Sequence, residues 1–218
     1  MADKHKGLWI AVYGPDGVGK SAVIDQLAYR LATGFRGMSR FHFRPRFRQQ
    51  HREGAPVTKP HAKPARGTVV STAKLIYWLA DCWWGYLSTI VPRRHAGQVI
   101  FYDRYFPDVL VDPVRYRLPA SCIRLASGLV ALAPRPDLCV LLDASANVVQ
   151  QRKRELSLPE SQRQRIAYLK MFECLQCKLL VNAESTVDEV SCRVATGICS
   201  LQTEPFSQPR ERSFVPNL

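Results

Sequence analysis

Acidic residues are scarce in this 218-residue chain: its 18 Asp and Glu are outnumbered by 31 Lys and Arg, which leaves a net charge of +13. An excess of this size indicates an anionic partner, which could be a phosphate ester, a nucleic acid or an acidic membrane surface. Hydrophobic residues make up 46% of the chain and charged residues 22%. Both values are those of a globular protein and exclude collagen and wholesale disorder. The length suits one domain with a complete hydrophobic core.

The chain also lacks a disulfide framework, because its seven cysteines are odd in number and irregularly spaced. The only close pair, Cys174 and Cys177, lies in a helix-like stretch without a second pair at ligand spacing. Half-buried thiols therefore explain this pair better than zinc does. The polar N-terminus and the short apolar run after it do not fit a secretory signal. We expect free thiols in a reducing, cytoplasmic compartment.

The sequence contains no uninterrupted apolar run that is best interpreted as a membrane span. The most apolar stretch, Val69 to Val91, has the length of a span. However, Lys74 and Asp81 fall within it, and each charge would be costly at the centre of a bilayer. A buried helix of an α/β domain is the simpler interpretation.

Short apolar runs alternate with helix-like segments along most of the chain. The runs predict strands at Leu8–Tyr13, Arg40–Phe43, Val99–Tyr102, Leu138–Asp143 and Lys178–Asn182. Apolar residues at helical spacing predict helices over Lys20–Ala32, Val69–Val91, Ile123–Leu132, Val148–Glu155, Gln162–Cys177 and Val187–Leu201. This alternation predicts a three-layer α/β/α fold around a five-stranded parallel sheet.

Two segments differ from this pattern. Residues 45–67 contain four prolines and few aliphatic side chains, so we interpret them as a long surface loop. This loop is basic, since the stretch from Arg36 to Arg66 holds nine Lys or Arg and one acid, Glu53. Residues 203–218 contain three prolines and predict a frayed tail. The domain itself is expected to span residues 1–202.

The sequence G-P-D-G-V-G-K-S matches the phosphate-binding pattern G-x-x-x-x-G-K-[ST] at every fixed position. These residues are Gly14, Pro15, Asp16, Gly17, Val18, Gly19, Lys20 and Ser21. A predicted strand precedes them and a predicted helix follows, which favours a P-loop NTPase fold. The glycines let successive N–H groups point at phosphate oxygens, and the helix adds its positive end. Lys20 is then expected to neutralise the β- and γ-phosphates of ATP, and Ser21 to bind Mg²⁺.

Polar residues follow other predicted strands as well. Asp103 stands at the end of the third strand, where an acid can hold Mg²⁺ through water. Arg104 follows it and can bind a phosphate through two parallel hydrogen bonds, although an ion pair at the sheet edge is the alternative. Ligands of parallel sheets bind beyond the carboxyl ends of the strands. We therefore expect these two residues, Arg44 and Asp143 to converge with the phosphate loop on one crevice.

A helical lid is predicted over residues 152–165. Basic residues stand on both sides of a polar stretch around Pro159, namely Arg152, Lys153, Arg154, Arg163 and Arg165. Closure of such a lid would bring arginines to the transferring phosphoryl group and exclude water. A solvated basic helix face is the alternative interpretation.

Together, the loop G-P-D-G-V-G-K-S, the D-R-Y at a strand end and the arginine-rich lid resemble the thymidylate kinase family of P-loop phosphotransferases. The resemblance runs from about Leu8 to Leu201. It implies that Asp16 is the family's acid within the phosphate loop. Gly17 stands where one subgroup carries a catalytic arginine. The other subgroup supplies that arginine from the lid, which implies a catalytic role for Arg152 or Arg154.

The resemblance also implies an acceptor site and a partner. Arg44, in Phe43-Arg44-Pro45, matches an arginine that contacts the acceptor phosphate, and Asp103, Arg104 and Tyr105 form the D-R-Y of the same site. ATP and Mg²⁺ are the implied cofactors. A homodimer is implied as well, with the aromatic helix Val69–Val91 as a candidate interface.

The chain departs from the family where the acceptor base is recognised. The family usually has a serine and then an A-Y/F-Q segment after D-R-Y, whereas this chain has residues 106–112, F-P-D-V-L-V-D. Cys82 stands where family members often have an arginine. Phosphoryl transfer from ATP is compatible with these departures, and the identity of the acceptor is left open.

Three function hypotheses follow. The first is a kinase acting on a small phosphorylated acceptor, most simply a nucleoside monophosphate, as in dTMP + ATP to dTDP + ADP; Arg44 at a strand end suits an acceptor that already carries phosphate. The second is the same fold acting on a nucleoside, a sugar or another metabolite. The third is a P-loop NTPase that docks on nucleic acid or anionic membrane through residues 36–66, where Phe41, Phe43 and Phe47 alternate with arginines.

Overall fold

The structure, a computed structural model, describes residues 7–43, 66–153 and 156–203, the last of these without the Thr203 side chain. Several predictions made from the sequence concern residues outside these ranges. Arg44, Arg154, nearly all of the predicted basic loop and the predicted tail from residue 204 onward lie outside the described residues.

Five strands and eight α-helices alternate along the described chain. The strands are β1 (Leu8–Tyr13), β2 (Met38–His42), β3 (Val99–Asp103), β4 (Leu138–Asp143) and β5 (Lys178–Asn182). The helices are α1 (Lys20–Arg30), α2 (Thr68–Gly85), α3 (Val91–His95), α4 (Asp108–Val111), α5 (Ile123–Ala131), α6 (Ala146–Arg152), α7 (Leu158–Glu173) and α8 (Val187–Thr203). A π-helical segment at Tyr86–Ile90 joins α2 to α3, and a 3₁₀ turn at Ala120–Cys122 precedes α5.

All strand pairs are parallel, and the strand order is β2-β3-β1-β4-β5. Central strand β1 pairs Ile10 with Phe101 of β3 on one side and with Leu138 of β4 on the other. This register brings the carboxyl ends of β1, β3 and β4 to the same edge of the sheet. The predicted three-layer α/β/α fold with a five-stranded parallel sheet is confirmed.

Each face of the sheet has its own hydrophobic core, because successive side chains of a strand point to opposite faces. Ile10 and Val12 pack on one face with residues of α1 and α8, such as Ile24 and Val194. The other core comprises β1 residues and side chains of α2, α5 and α7, among them Trp9, Ala11, Tyr13, Leu75, Trp78, Ala126, Tyr168 and Phe172. Burial on both faces explains why β1 is apolar throughout.

The aromatic stretch predicted as a helix over Val69–Val91 is part of one helical run, formed by α2, the π-helical segment and α3. Its inner side buries Leu75 and Trp78 against the sheet. Its outer side exposes Val69, Trp84 and other large apolar side chains. In the part of the chain that is described, no helix is long and apolar enough to cross a membrane.

Two sequence predictions around the second lid helix are wrong. Two helices are present as predicted, but the second was expected to begin at Gln162, whereas α7 already begins at Leu158. Proline is tolerated in the first turn, because its missing N–H would have no acceptor there. The helix also ends at Glu173, so that Cys174 and Cys177 follow it, and Cys177 has a left-handed φ of 47°.

The expectation of free thiols is confirmed, since all seven cysteines are described and none forms a disulfide. Among the described residues, no group of three or more His, Cys, Asp or Glu side chains could hold a metal ion.

The core on the α1 side predicts a measurable contribution from Ile24. This side chain is fully buried, and Ile24→Ala should reduce the free energy of unfolding by about 2–5 kcal/mol through lost burial and the cavity that remains. Urea denaturation followed by circular dichroism measures the change. Tyr29→Ala on the same helix is the control: Tyr29 is 81% exposed, and its loss should cost less than about 0.5 kcal/mol. Equal losses in both variants would contradict the assigned core.

Candidate functional site

The phosphate loop connects β1 to α1 and has a backbone that only glycine suits. Gly14, Gly17 and Gly19 have φ values of 142°, 89° and 103°, which L-amino acids with a side chain rarely adopt. A Cβ at Gly14 would also lie 2.7 Å from the carbonyl oxygen of Leu142, and one at Gly17 would lie 2.9 Å from the Cβ of Lys153. The loop is thus packed closely against the end of β4 and the end of α6.

Lys20 lies at the start of α1 and is held inside this loop. Its side chain is 7% exposed, and its Nζ donates hydrogen bonds of 2.8 Å to the carbonyl oxygens of Gly14 and Pro15. Burial, with a smaller contribution from the nearby Arg104, lowers the pKa of Lys20 to about 7. A buried ammonium group of this kind is stabilised by an anion that enters the loop.

Ser21 and Asp103, the two predicted magnesium ligands, lie close enough to share one cationic nitrogen. The Nη2 of Arg40 donates to Ser21 Oγ at 2.8 Å and to Asp103 Oδ2 at 3.2 Å. His42 Nδ1 is 3.4 Å from the same carboxylate oxygen. A hydroxyl and a carboxylate are the hard oxygen donors that Mg²⁺ prefers, so these residues fit a magnesium ion.

The sequence analysis did not identify Arg40 as a site residue. It lies in the middle of β2, and its Nη1 also pairs with Asp25 of α1 at 3.0 Å. No local motif marks such a residue, because its role depends on the pairing of β2 with β3.

Arg104 and Arg115 hold the acid of the phosphate loop. Arg104 has a left-handed φ of 65°, and its Nη2 donates to Asp16 Oδ1. Arg115 Nη1 donates to Asp16 Oδ2 at 2.8 Å. Burial alone would raise the pKa of Asp16, but Arg104, Lys20 and Arg115 together hold it well below its usual range. Asp16 is therefore an anion that orients two arginines beside the phosphate loop.

The other side of the Arg104 guanidinium pairs with Asp108, which is fully buried on α4. Arg104 Nη1 lies 3.0 Å from Asp108 Oδ1. The same carboxylate accepts hydrogen bonds from Tyr168 OH at 2.6 Å and from Tyr116 OH at 2.8 Å. Arg104 also contacts the Tyr168 hydroxyl. A buried carboxylate needs such partners on its lone pairs, and here two hydrogen bonds from Arg104 Nη1, at 3.0 and 3.2 Å, and one from each tyrosine hydroxyl provide them.

Sequence reasoning placed Arg104 in the site but missed Asp108, Arg115, Tyr116 and Tyr168. The available signal was the departure after D-R-Y, where Asp108 lies in the segment F-P-D-V-L-V-D. A charged residue in a short, otherwise apolar segment needs a partner, and Arg104 four residues earlier was a candidate.

Two other predicted site residues, Tyr105 and Asp143, have partners outside the phosphate loop. Tyr105 is 3% exposed and packs edge-to-face on Trp9, with ring centroids 5.1 Å apart. Asp143, at the end of β4, accepts two hydrogen bonds of 2.7 Å from Arg165 of α7. The structure thus gives Tyr105 a packing role and pairs Asp143 with the lid helix; a contact of Tyr105 with substrate stays a prediction.

The described arginines of the predicted lid bind oxygen atoms of the protein itself. Arg152 Nη1 donates to the carbonyl oxygens of Ala183 at 2.8 Å and Val18 at 3.4 Å. It thereby ties α6 to the phosphate loop and to the connection after β5. Arg163 pairs with Glu160 of the same helix at 2.7 Å. The catalytic role of Arg152 or Arg154 stays a prediction.

The structure therefore brings Asp16, Lys20, Ser21, Asp103 and Arg104 together at the carboxyl ends of β1 and β3. Such an arrangement can bind a chain of phosphates along the loop and a cation beside it. It can also orient a second anion near Arg104.

Comparison with known proteins finds a similar solved structure but no match to a family model or a curated protein. No family model matches the chain, and no curated protein does. A solved structure of thymidylate kinase from Candida albicans is similar, with a TM-score of 0.62 and 17% sequence identity. The likeness covers 89% of this chain and 92% of that one. The chain thus has a thymidylate kinase-like α/β P-loop fold, as the resemblance of its motifs implied.

The buried contacts of Asp108 predict that a small substitution at this residue strongly destabilises the protein. Asp108→Asn keeps the shape but removes the charge that pairs with the buried Arg104, and it should destabilise the protein by about 3–5 kcal/mol. Thermal and urea denaturation measure the loss. Asp25→Asn removes a 66% exposed carboxylate from an ion pair with Arg40, and it should cost about 1 kcal/mol or less. If Asp108→Asn were as stable as that control, the ion pair would have no structural importance.

Proposed function

We propose that this protein is an ATP- and Mg²⁺-dependent kinase that transfers a phosphoryl group to a small phosphorylated acceptor. The simplest acceptor is a nucleoside monophosphate, as in dTMP + ATP to dTDP + ADP. One observation carries the proposal: a buried ammonium group lies inside a loop of left-handed glycines at the carboxyl end of β1. Phosphoryl transfer depends mainly on positioning and charge neutralisation, and this arrangement supplies both.

The donor phosphates would bind along the phosphate loop. Backbone N–H groups of the loop and the N-terminus of α1 provide donors for the phosphate oxygens. Lys20 now donates to the carbonyl oxygens of Gly14 and Pro15. With a triphosphate present, its Nζ would exchange these neutral acceptors for charged ones, and such hydrogen bonds are stronger.

Ser21 and Asp103 are the residues that would hold Mg²⁺. The ion, when bound with ATP, neutralises negative charge on the β- and γ-phosphates. Arg40 would have to withdraw from both oxygens, and Asp25 offers it a partner outside that site.

The close packing of Gly17 against Lys153 supports a lid arginine at the reacting phosphoryl group. A Cβ at position 17 would lie 2.9 Å from the Cβ of Lys153, a residue of the predicted lid. The phosphate loop, residues 14–21, contains no arginine, so a catalytic arginine would have to come from another segment. We assign that role to Arg152 or Arg154. For Arg152 it requires release from the carbonyl oxygens of Ala183 and Val18.

The acceptor phosphate would bind near Arg104 and Arg115, with Arg44 as a further candidate. Asp108 and Tyr168 fix the orientation of Arg104, so its guanidinium is in place before a ligand arrives. Its positive charge suits an acceptor that already carries phosphate. Residues 106–112 lack the thymine-recognising pattern of the resembling family, which favours the second hypothesis, a kinase of the same fold acting on a sugar or another metabolite.

Turnover tests the proposal directly. Lys20→Ala should lower kcat by at least about 100-fold, because it removes a preorganised positive charge from the transferring phosphoryl group. ADP release with a panel of nucleoside monophosphates, nucleosides and sugar phosphates measures the rate and identifies the acceptor class. Lys170→Ala, an exposed lysine on α7, is the control and should leave turnover unchanged. Unaltered turnover in Lys20→Ala would overturn the proposal.

We also propose that the protein forms a homodimer through the outer side of α2 and of the π-helical segment that follows it. Val69, Ile76, Trp84 and Leu87 are 82%, 54%, 70% and 60% exposed, and they follow one another along the helix. An exposed apolar face of this extent is unusual for a monomer. A second copy of the same face is self-complementary, as a twofold interface requires.

A charged substitution on this face should separate the subunits. Trp84→Glu is expected to shift sedimentation velocity from dimer to monomer, since it would bury a carboxylate in an apolar interface. Tyr29→Glu, on the 81% exposed Tyr29 of α1, is the matched control and should leave the dimer intact. A wild-type protein that sediments as a monomer at micromolar concentration would refute the homodimer.

A further inference from the structure

Arg40 of β2 connects three side chains through one guanidinium group. Its Nη2 donates to Ser21 Oγ at 2.8 Å and to Asp103 Oδ2 at 3.2 Å, and its Nη1 donates to Asp25 Oδ1 at 3.0 Å. Ser21 and Asp103 are the two residues that fit Mg²⁺, whereas Asp25 lies on α1 and is 66% exposed. Arg40 therefore reaches from the metal-binding oxygens to the protein surface.

The Asp103 carboxylate depends on positive charge beside it. Asp103 is 4% exposed, and a buried carboxylate without a cationic partner is strongly unfavourable. Its Oδ2 accepts a hydrogen bond from Arg40 and lies 3.4 Å from His42 Nδ1. Because a guanidinium is always protonated in proteins, Arg40 supplies this carboxylate with a permanent positive charge. A metal ion on the same carboxylate would replace that charge.

The hydrogen bonding of Arg40 is incomplete in this position. Its Nε is buried and has no hydrogen-bond acceptor among the described residues. A buried donor without an acceptor is unfavourable, so this arrangement is easier to leave than one in which every N–H group is paired. Since an arginine can bind both oxygens of one carboxylate, Asp25, now bonded through Oδ1, offers the departing guanidinium a second oxygen.

A magnesium ion and Arg40 would compete for the same two oxygens, because two cations held there repel each other. Ser21 and Asp103 together offer a metal ion only one negative charge. Mg²⁺ gives up its water reluctantly and usually takes phosphate oxygens of a substrate as further ligands. The metal alone therefore gains little by displacing Arg40, whereas a nucleotide in the phosphate loop supplies the missing ligands and charge.

We propose that Arg40 is a displaceable counter-cation that makes metal binding at Ser21 and Asp103 depend on a bound nucleotide. Without phosphates in the loop, the guanidinium keeps both oxygens. When the metal arrives with a nucleotide, the guanidinium turns to Asp25. Arg40 is a positioning residue in this role, since it acts through the metal ligands. This inference rests on the proposed kinase function and adds the regulation of its metal site.

Binding of Mn²⁺, a paramagnetic substitute for Mg²⁺, tests the competition without turnover. Electron paramagnetic resonance measures free Mn²⁺ in titrations with and without ADP. Arg40→Gln should raise the affinity of the nucleotide-free protein for Mn²⁺ about 10-fold, a typical size for coupling between two sites. The factor by which ADP strengthens Mn²⁺ binding should fall by the same amount, because Arg40 has already left these oxygens in the ADP complex.

Arg30→Gln is the matched control for this loss of charge. Arg30 lies on α1, is 29% exposed against 25% for Arg40, and also pairs with a surface carboxylate, that of Asp188. This variant should leave Mn²⁺ binding unchanged, with or without ADP. If Arg40 served only to hold β2 against α1, Arg40→Gln would lower the melting temperature without changing Mn²⁺ affinity, and that result would overturn the proposal.

Asp25→Asn gives a second test, which does not require Arg40→Gln to fold. Loss of the alternative partner should weaken Mn²⁺ binding to the ADP complex about 3-fold, the scale of an exposed ion pair. Asp188→Asn removes a carboxylate of similar exposure, 68%, and should have no effect. Combined with Arg40→Gln, Asp25→Asn should also have no effect, because Asp25 acts only through Arg40. Equal effects of Asp25→Asn with and without Arg40, or no effect in the wild-type protein, would contradict this displacement.

The outcomes separate the counter-cation from the proposed function. Failure of wild-type protein to bind ADP would refute the kinase proposal. The comparison of Arg40→Gln with the wild type in the absence of nucleotide would still be measurable. Equal Mn²⁺ affinities of these two proteins, or no Mn²⁺ binding by Arg40→Gln at millimolar concentration, would overturn the counter-cation.

Discussion

The guanidinium of Arg104 is the charge around which the candidate site is organised. It pairs with Asp16 in the phosphate loop and with the buried Asp108 on α4, while Tyr168 of α7 contacts both Arg104 and Asp108. Taking a charge out of water costs several kcal/mol, which only well-placed partners offset. The phosphate loop, the end of β3, α4 and α7 are therefore held in one relative position by the need to keep these charges paired.

Positive groups in the site already bind the protein's own oxygens where an anion or a cation would otherwise bind. Lys20 donates to carbonyl oxygens of its own loop, and Arg40 bridges Ser21 and Asp103. Arg152 donates to the carbonyl oxygens of Val18 in the phosphate loop and of Ala183 after β5. Ligand binding at such a site exchanges partners: Lys20 would exchange carbonyl oxygens for phosphate oxygens, whereas Arg40 and Arg152 would have to leave their present partners.

Local sequence patterns predicted much of the fold and the residues at the centre of the site. Continuous apolar runs located β1, β3 and β4, which are buried on both faces and have few polar positions. The edge strands β2 and β5 are only partly buried and contain polar residues. The phosphate loop was evident because its glycines and Lys20 are contiguous. Pro159 was misread as a break, because proline is unfavourable inside a helix but tolerated in its first turn. Such boundaries depend on a single turn of backbone, which periodicity does not resolve.

The sequence by itself determined that a parallel sheet carries a phosphate loop with Lys20 and Ser21 beside it, because those signals span only a few consecutive residues. Only the tertiary structure decided which distant charges pair. Asp108 meets Tyr168 sixty residues later, and Arg40 meets Asp103 only because β2 lies against β3. Long-range pairs of this kind leave no periodic trace, since their energy depends on how the chain crosses itself and on how completely water is excluded there.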